Sequence, residues 1–286
     1  MSRVLDGKLV RDQILGELRP RIARLLRRPG LAVVLVGEDP ASEIYVRSKV
    51  KACEDLGIYS EKITPSAGIT TGDLLAIVEG LNERVEIDGI LVQMPLPSQV
   101  DSRRVLLSVL PDKDVDGFHP YNVGNLVSGN PGLRACTPSG IMELLKRYEI
   151  PISGASAVVV GRSDIVGKPM ALLLLHENAT VTICHSKTID LARECRRADI
   201  LVAAIGKAAL IGREFIKPGA TVIDVGMNRP ATGKGLVGDV DAEAVKEIAG
   251  AYTPVPGGVG PLTIAMLMSN TVKAAELHQS MGQSVR

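Results

Sequence analysis

Tryptophan is absent from the 286-residue chain, and aromatic residues make up only 2% of it. So few rings argue against the stacking platforms that hold single-stranded nucleic acid. The cores must be built from Leu, Ile, Val, Ala and Met. Neither sign of charge is in excess: 33 basic and 32 acidic residues leave a formal +1, and no block of like charge stands out beyond short pairs such as Arg27-Arg28 and Arg196-Arg197. That leaves no nucleic-acid footprint and no polybasic membrane anchor. No apolar run is long enough to span a bilayer, and the stretch from Met1 to Lys8 has charges where a secretory leader would be apolar. The four cysteines, Cys53, Cys136, Cys184 and Cys195, form no C-x-x-C pair and no zinc spacing. They read as reduced, partly buried thiols of a cytoplasmic protein, and no metal site is expected.

What the chain does have is length for two domains, enough to bury roughly 75% of its unfolded surface. It also has one organising stretch, Ala157 to Met170. Val158-Val159-Val160 reads as a buried parallel strand. Gly161 permits a tight turn, Ser163 and Asp164 are helix-capping residue types, and Pro169 suits a first helical turn. Strand, glycine turn and helix start aim backbone N–H groups at an anion, as doubly wound folds do for a dinucleotide pyrophosphate. The stretch departs from G-x-G-x-x-G: Ser163 stands at the second glycine, and the third would fall on Val166 rather than Gly167. By itself it also fits a tight strand–helix turn without a ligand. The next strand, Thr180 to Cys184, ends in Cys184-His185-Ser186-Lys187, with no acid for a ribose 2′-hydroxyl. Ser186, Lys187 and Arg162 suit a 2′-phosphate instead, which favours NADP over NAD. Lys187 and Arg162 also fit a reading as solvated surface charges.

The remaining pattern alternates helices and strands, the mark of parallel sheets. A helix is expected from Asp6 to about Arg28, closed by Gly30, and a strand from Leu31 to Val36. A helix capped by Ser42 and stopped at Gly57 follows, then a strand over Tyr59 to Ile63 and a helix over Thr71 to Leu81. A strand over Gly89 to Gln93 and a helix over Ser102 to Leu110 complete this half. Pro111 to Pro120 is polar and turn-rich, Gly124 to Pro138 is also rich in turn formers, and the join between domains is read here, with a connecting helix over Ser139 to Tyr148. Further strands are expected at Ile200 to Val202 and Thr221 to Ile223. Pro254 to Pro261 reads as a loop, and Leu262 to Gln279 as a terminal helix. The fold class is therefore α/β with two α/β domains, the second a Rossmann-type doubly wound parallel sheet, the terminal helix returning to the first. The expected division is 1–120 plus 265–286 against 121–264.

Candidate chemistry lies at strand ends. Tyr45 and Lys49 share a helix face, so a ring can stack on a flat heterocycle beside an amine. The pair equally describes a surface lysine next to a half-buried tyrosine. Gln93 sits at the carboxyl end of a strand, where open α/β sheets bind ligands, or it bonds loop backbone. Asp116 could accept two hydrogen bonds from an amino-heterocycle, or form an Asx-turn before Gly117. His119 has no spaced partner and reads as structural. Gly206 and Gly226 allow close backbone approach to a cofactor, or plain strand-end turns. Pro256 to Pro261 offers unhindered N–H groups, or a hinge.

In order along the chain stand Tyr45-Val46-Arg47-Ser48-Lys49, Val92-Gln93-Met94-Pro95-Leu96-Pro97, Lys113-Asp114-Val115-Asp116-Gly117-Phe118 and Cys136-Thr137-Pro138. Gly161-Arg162-Ser163 through Gly167-Lys168-Pro169, Cys184-His185-Ser186, and Pro254-Val255-Pro256-Gly257-Gly258-Val259-Gly260-Pro261 follow. Together they resemble the bifunctional methylenetetrahydrofolate dehydrogenase / methenyltetrahydrofolate cyclohydrolase family, the FolD type, over almost the whole chain. Met94 stands where that family usually has Leu, and Cys53 where a smaller residue is common.

The resemblance implies oxidation of 5,10-methylenetetrahydrofolate by NADP and hydrolysis of the methenyl product to 10-formyltetrahydrofolate. It makes Lys49 the catalytic group of the hydrolysis, a lysine that can lose its proton and then activate water, with Gln93 orienting Lys49 or the water. Tyr45 would stack on the folate and Asp116 would anchor the pterin amino edge. Val92, Met94 and the Pro256, Gly257, Gly258, Val259, Gly260 loop would complete the folate site. Gly161, Arg162, Ser163, Ile165, Ser186, Gly206, Gly226 and Met227 would hold NADP. It further implies a homodimer paired through the nucleotide domains. Two rival readings share the plan: an NADP dehydrogenase of another small substrate, such as a shikimate-type oxidoreductase, and a non-catalytic NADP-binding sensor.

Overall fold

The computed structural model describes residues 2–130, 132–229, 233 and 235–284, and side chains for all of these but 41 and 282–284. The chain divides into two compact units. One comprises Met1–Asp12 and Thr137–Thr263, the other Gln13–Cys136 and Ile264–Arg286. These cuts differ from the expected ones at both ends: the first twelve residues and the segment 121–136 each fall in the opposite unit. The C-terminal helix, Val259–Ser284, joins the N-terminal half from Ile264 onward.

The first unit holds a six-stranded parallel sheet. From one edge it runs Arg3–Val4, Ala251–Tyr252, Thr221–Asp224, Ile200–Ala203, Ser156–Val160 and Thr180–Cys184. The inner strands are β-branched, apolar and buried on both faces, as parallel strands under helices must be. Thr180–Cys184, at the edge, exposes Thr180, Thr182 and Ile183. Chain order reverses at Ser156–Val160, whose successor pairs on one side while Ile200–Ala203 pairs on the other. Ligands of open α/β sheets bind outside the carboxyl ends at such a reversal.

The second unit repeats the principle with three parallel strands, Tyr59–Ile63, Gly30–Val34 and Gly89–Val92 in that order. Its reversal lies at Gly30–Val34. The helix Thr71–Glu83 covers the sheet with Leu74, Val78 and Leu81, three and four residues apart on one face. With Val34, Ile90, Val92 and Val105 they form one core cluster, each fully buried side chain contributing about 1.5–3 kcal/mol.

Several elements differ from the sequence reading for identifiable reasons. The first helix is Gly7–Ala23, and Gly30 does not stop it. Gly30 opens a strand instead, where a Cβ would lie 1.9 Å from the Glu86 carbonyl oxygen. The helix Pro40–Leu56 is capped by Asp39, which accepts from the Ser42 N–H, so Ser42 lies inside it. Within the stretch read as turn-rich, a helix spans Pro120–Ser128, and the His119 Nδ1 accepts the Tyr121 N–H at its start. The following helix is Cys136–Arg147, and the terminal helix begins at Val259, inside the expected loop. The two-residue strands at Arg3 and Ala251 were not legible as strands. Among the described residues no helix is long and apolar enough to cross a membrane.

Candidate functional site

At the reversal of the three-stranded sheet, Gln93 follows directly on the strand Gly89–Val92, and its N–H donates to the Val34 carbonyl across the sheet. Its side chain is held at both ends. Nε2 donates to the Met94 carbonyl at 2.8 Å, and Oε1 accepts from Lys49 Nζ at 2.9 Å. Lys49 comes from Pro40–Leu56, the helix that follows the central strand. Tyr45 stands one turn earlier on that helix and is 39% exposed, so a flat ligand can reach its ring. Val92 is buried and Met94 exposed beside it.

Asp116 reaches the same electrostatic neighbourhood from another segment. Burial pushes its carboxyl up to about 6; Lys49 pulls against that rise and Asp114 adds to it. Among the described residues no hydrogen bond is donated to the Asp116 carboxylate, which leaves both oxygens able to accept from a ligand. The loop around it is tied down instead by its neighbours. The Asp114 carboxylate accepts the N–H groups of Phe118 and His119 and the Asn122 amide. Lys113 is buried and donates to the carbonyls of Leu81, Asn82 and Arg84, at the end of the Thr71–Glu83 helix. Asn270 donates to the carbonyls of Val115 and Arg134, and the buried Cys136 thiol also donates to Val115. Gly117 has φ +75°, and a Cβ there would lie 2.3 Å from the Arg134 carbonyl carbon. The turn before Gly117 is therefore made by Asp114, and the Asp116 carboxylate takes no part in it.

At the reversal of the six-stranded sheet, Gly161 follows Val160 with φ +138°, and a Cβ would lie 2.2 Å from the Ala204 carbonyl oxygen. Gly167 opens the next helix, Gly167–His176, where a Cβ would lie 2.3 Å from the Gly161 carbonyl oxygen. The two glycines let strand, turn and helix start close on one another, a cradle that any Cβ would fill. Ser163 Oγ accepts the N–H groups of Val166 and Gly167, while Asp164 pairs with Lys168 at the surface. So Ser163, not Asp164, serves the helix start. Ile165 is exposed in the same turn.

Strand register brings the other predicted cofactor residues to this edge. Val160 is level with Cys184 and with Ala203, and Ala203 with Asp224. Arg162, Ser186, Gly206 and Gly226 therefore all follow strand ends on one side of the sheet. Ser186 and Lys187 are exposed, and no acid stands among them. Pro256 to Gly260 also belong to this unit, with Gly260 beside the Met227 sulfur.

Sequence reasoning gave no role to Lys113, Asn270 or Asp239. The partners of each come from residues far along the chain, so nothing local marks them. Asp239 is fully buried and accepts from Ile205, Gly206, Lys207 and Asn228. Asp224 is pushed up to about 6 by burial, against the N–H groups of Asp239, Val240 and Gly226 that it accepts.

Comparison with known proteins matches both units. The tetrahydrofolate dehydrogenase/cyclohydrolase catalytic-domain model matches residues 5–116, and the NAD(P)-binding domain model of the same name matches residues 135–279. The bifunctional protein FolD of Solibacter usitatus is 67% identical, over 96% of this chain and 98% of that protein. The solved FolD of Campylobacter jejuni superposes with a TM-score of 0.94 at 48% identity, over 97% of this chain and 99% of that one. The Trypanosoma brucei FolD, solved with NADP cofactor and an inhibitor, gives 0.91 at 39% identity, over 100% and 99%.

Proposed function

Because the chain belongs to the tetrahydrofolate dehydrogenase/cyclohydrolase family, we propose that it oxidises 5,10-methylenetetrahydrofolate with NADP and hydrolyses the methenyl product to 10-formyltetrahydrofolate. The observation that carries this reading is the Lys49–Gln93 hydrogen bond at a sheet reversal, with Asp116 electrostatically coupled to Lys49. Asp116 accepts hydrogen bonds from the amino edge of the pterin, and Tyr45 stacks on its ring. Val92 and Met94 complete the folate's surroundings on this unit.

In the hydrolysis, water adds to the methenyl carbon and loses a proton, after which the bond from that carbon to N5 breaks. Lys49 takes the first proton from water and returns one to N5, the remaining hydroxyl proton leaves as the C=O forms, and one proton is released overall. Gln93 fixes the position of the Lys49 amine. NADP⁺, when bound, supplies the hydride acceptor for the oxidation. Gly161, Ser163 and Ile165 receive its pyrophosphate, Arg162, Ser186 and Lys187 its 2′-phosphate, and Gly206, Gly226 and Met227 its nicotinamide end. The close approach of strand end, turn and helix start that Gly161 and Gly167 permit, and the lack of an acid after Cys184, both fit that group.

The test is NADPH formation from purified protein, 5,10-methylenetetrahydrofolate and NADP⁺, with NAD⁺ in parallel and methenyl hydrolysis followed separately. Turnover preferring NADP⁺ is expected. Turnover with NAD⁺ instead would remove the phosphate assignment, and none with either would remove the substrate. The same reading includes a homodimer. The exposed edge strand Thr180–Cys184, paired on one side only, supports it. Sedimentation at the monomer mass would refute it.

A further inference from the structure

The cofactor edge is organised around a carboxylate that no solvent reaches. Asp239 Oδ2 accepts the N–H of Ile205 at 2.6 Å and of Gly206 at 2.9 Å. Its Oδ1 accepts the N–H of Lys207 at 2.9 Å and the Asn228 amide at 2.9 Å. Successive backbone N–H groups converging on one anion form a nest, and here the chain fills the nest itself. The Asp239 N–H in turn donates to Asp224 Oδ1, which also accepts the N–H of Gly226. At Gly226 a Cβ would lie 2.4 Å from Asp239 Oδ1, so the turn closes onto the carboxylate only without a side chain. One buried anion thus joins the turn after Ile200–Ala203 to the turn after Thr221–Asp224.

We propose that Asp239 is a positioning residue for the cofactor, holding these two turns in the shape that receives the nicotinamide end of NADP. The proposal rests on the cofactor edge assigned above. The filled nest also has a consequence for orientation. The N–H groups of residues 205–207 are already committed to a carboxylate, so this part of the edge repels phosphate and leaves it to Gly161 and Arg162.

Asp239→Asn tests it. Whichever way the new amide turns, its NH₂ group faces N–H donors that previously met an oxygen. The Kd for NADPH, read by its own fluorescence on titration, is expected to rise about tenfold or more. Methenyl hydrolysis uses no NADP and should stay within about twofold of the parent. Asn228→Ala removes one donor and leaves the backbone nest intact, so a rise of about threefold is expected with the same sparing of hydrolysis. If Asp239→Asn does not fold, Asn228→Ala decides. An unchanged Kd in folded protein overturns the proposal, as does an equal loss of NADPH binding and hydrolysis, which marks a merely structural residue. A parent that binds NADPH without turnover refutes the folate reading while leaving this one to be decided on Kd alone.

Discussion

Each unit carries a carboxyl that burial pushes up to about 6, Asp116 beside Lys49 and Asp224 at the opposite sheet's strand ends, yet the two are used in contrary ways. Asp224 spends its oxygens on three backbone N–H groups, and Asp239 next to it takes three more and a side-chain amide. Asp116 takes none from the described residues, and its loop is held by other groups so that it need not. The three-stranded edge acts through side chains: an amine, an amide and an open carboxylate. The six-stranded edge is shaped by glycines and by acids turned inward, and Arg162, Ser186 and Lys187 stand exposed in the turns after its strands. A raised carboxyl therefore does not by itself mark chemistry; what decides is whether its hydrogen bonds are already taken.

The largest effect that would sharpen this contrast is on the side-chain edge. Lys49→Ala is expected to lower methenyl hydrolysis by about 10²- to 10⁴-fold, the usual worth of an acid–base group, with the Kd for NADPH unchanged. Normal hydrolysis would remove Lys49 from the reaction. Next comes Asp116→Asn. The folded carboxyl holds its proton up to about pH 6, the unfolded one only to about pH 4. Its contribution to stability is thus complete below about pH 4 and is lost as pH rises to about 6. Asparagine does not titrate. The stability of the variant relative to the parent should therefore climb by up to about 2–3 kcal/mol across that window and then level off, measured by urea unfolding at a series of pH values. A flat difference would mean that Asp116 is not held up by burial. The same variant keeps only one acceptor oxygen, so the folate KM should rise.

On the six-stranded edge the expected losses are smaller. Arg162→Ala removes one charge-assisted contact, about 1.5–3 kcal/mol, and should weaken NADP by roughly ten- to a hundredfold with hydrolysis intact. Unchanged NADP affinity would place the 2′-phosphate elsewhere.

How far all this was legible follows from the same contrast. The partly exposed edge strands Tyr59–Ile63 and Thr180–Cys184 were read to the residue, and the strands buried on both faces were found from their β-branched, apolar runs with ends shifted by a residue or two. Lys49 and Gln93 were legible because a strand end and a helical spacing are local facts. Gly30 was misread because its reason, a carbonyl 1.9 Å from where a Cβ would be, comes from residue 86. The cap was placed on Ser42 although Asp39-Pro40 was the better signal, a proline at the first helical position behind a capping acid. Pro120–Ser128 was missed because Asn122, Gly124 and Asn125 look like turn formers, while its cap, His119, is an uncommon one. Asp239 was illegible in principle: a carboxylate next to glycine reads as a surface turn until residues 205–207 fold over it.

The smallest expected effect tests whether the two edges are separable at all. Each is entered by a helix whose first N–H groups need an acceptor. On the three-stranded side Asp39 accepts the Ser42 N–H at 2.8 Å and so fixes the helix that carries Tyr45 and Lys49. On the six-stranded side Ser163 accepts the N–H groups of Val166 and Gly167 at 3.2 and 3.3 Å, longer bonds in the turn proposed for pyrophosphate. By thermal or urea unfolding, Asp39→Ala should cost about 1 kcal/mol of stability, the ordinary worth of a helix cap, and Ser163→Ala no more than that, because Ser163 precedes the N-cap position, Val166, of a helix without a side-chain cap. Their functional effects should divide. Asp39→Ala loosens the lysine helix and is expected to slow hydrolysis a few-fold while leaving the Kd for NADPH alone, and Ser163→Ala should do the reverse. If either variant moved both readouts equally, the caps would report only general stability. The assignment of chemistry to one edge and cofactor binding to the other would then have to rest on Lys49 and Arg162 alone.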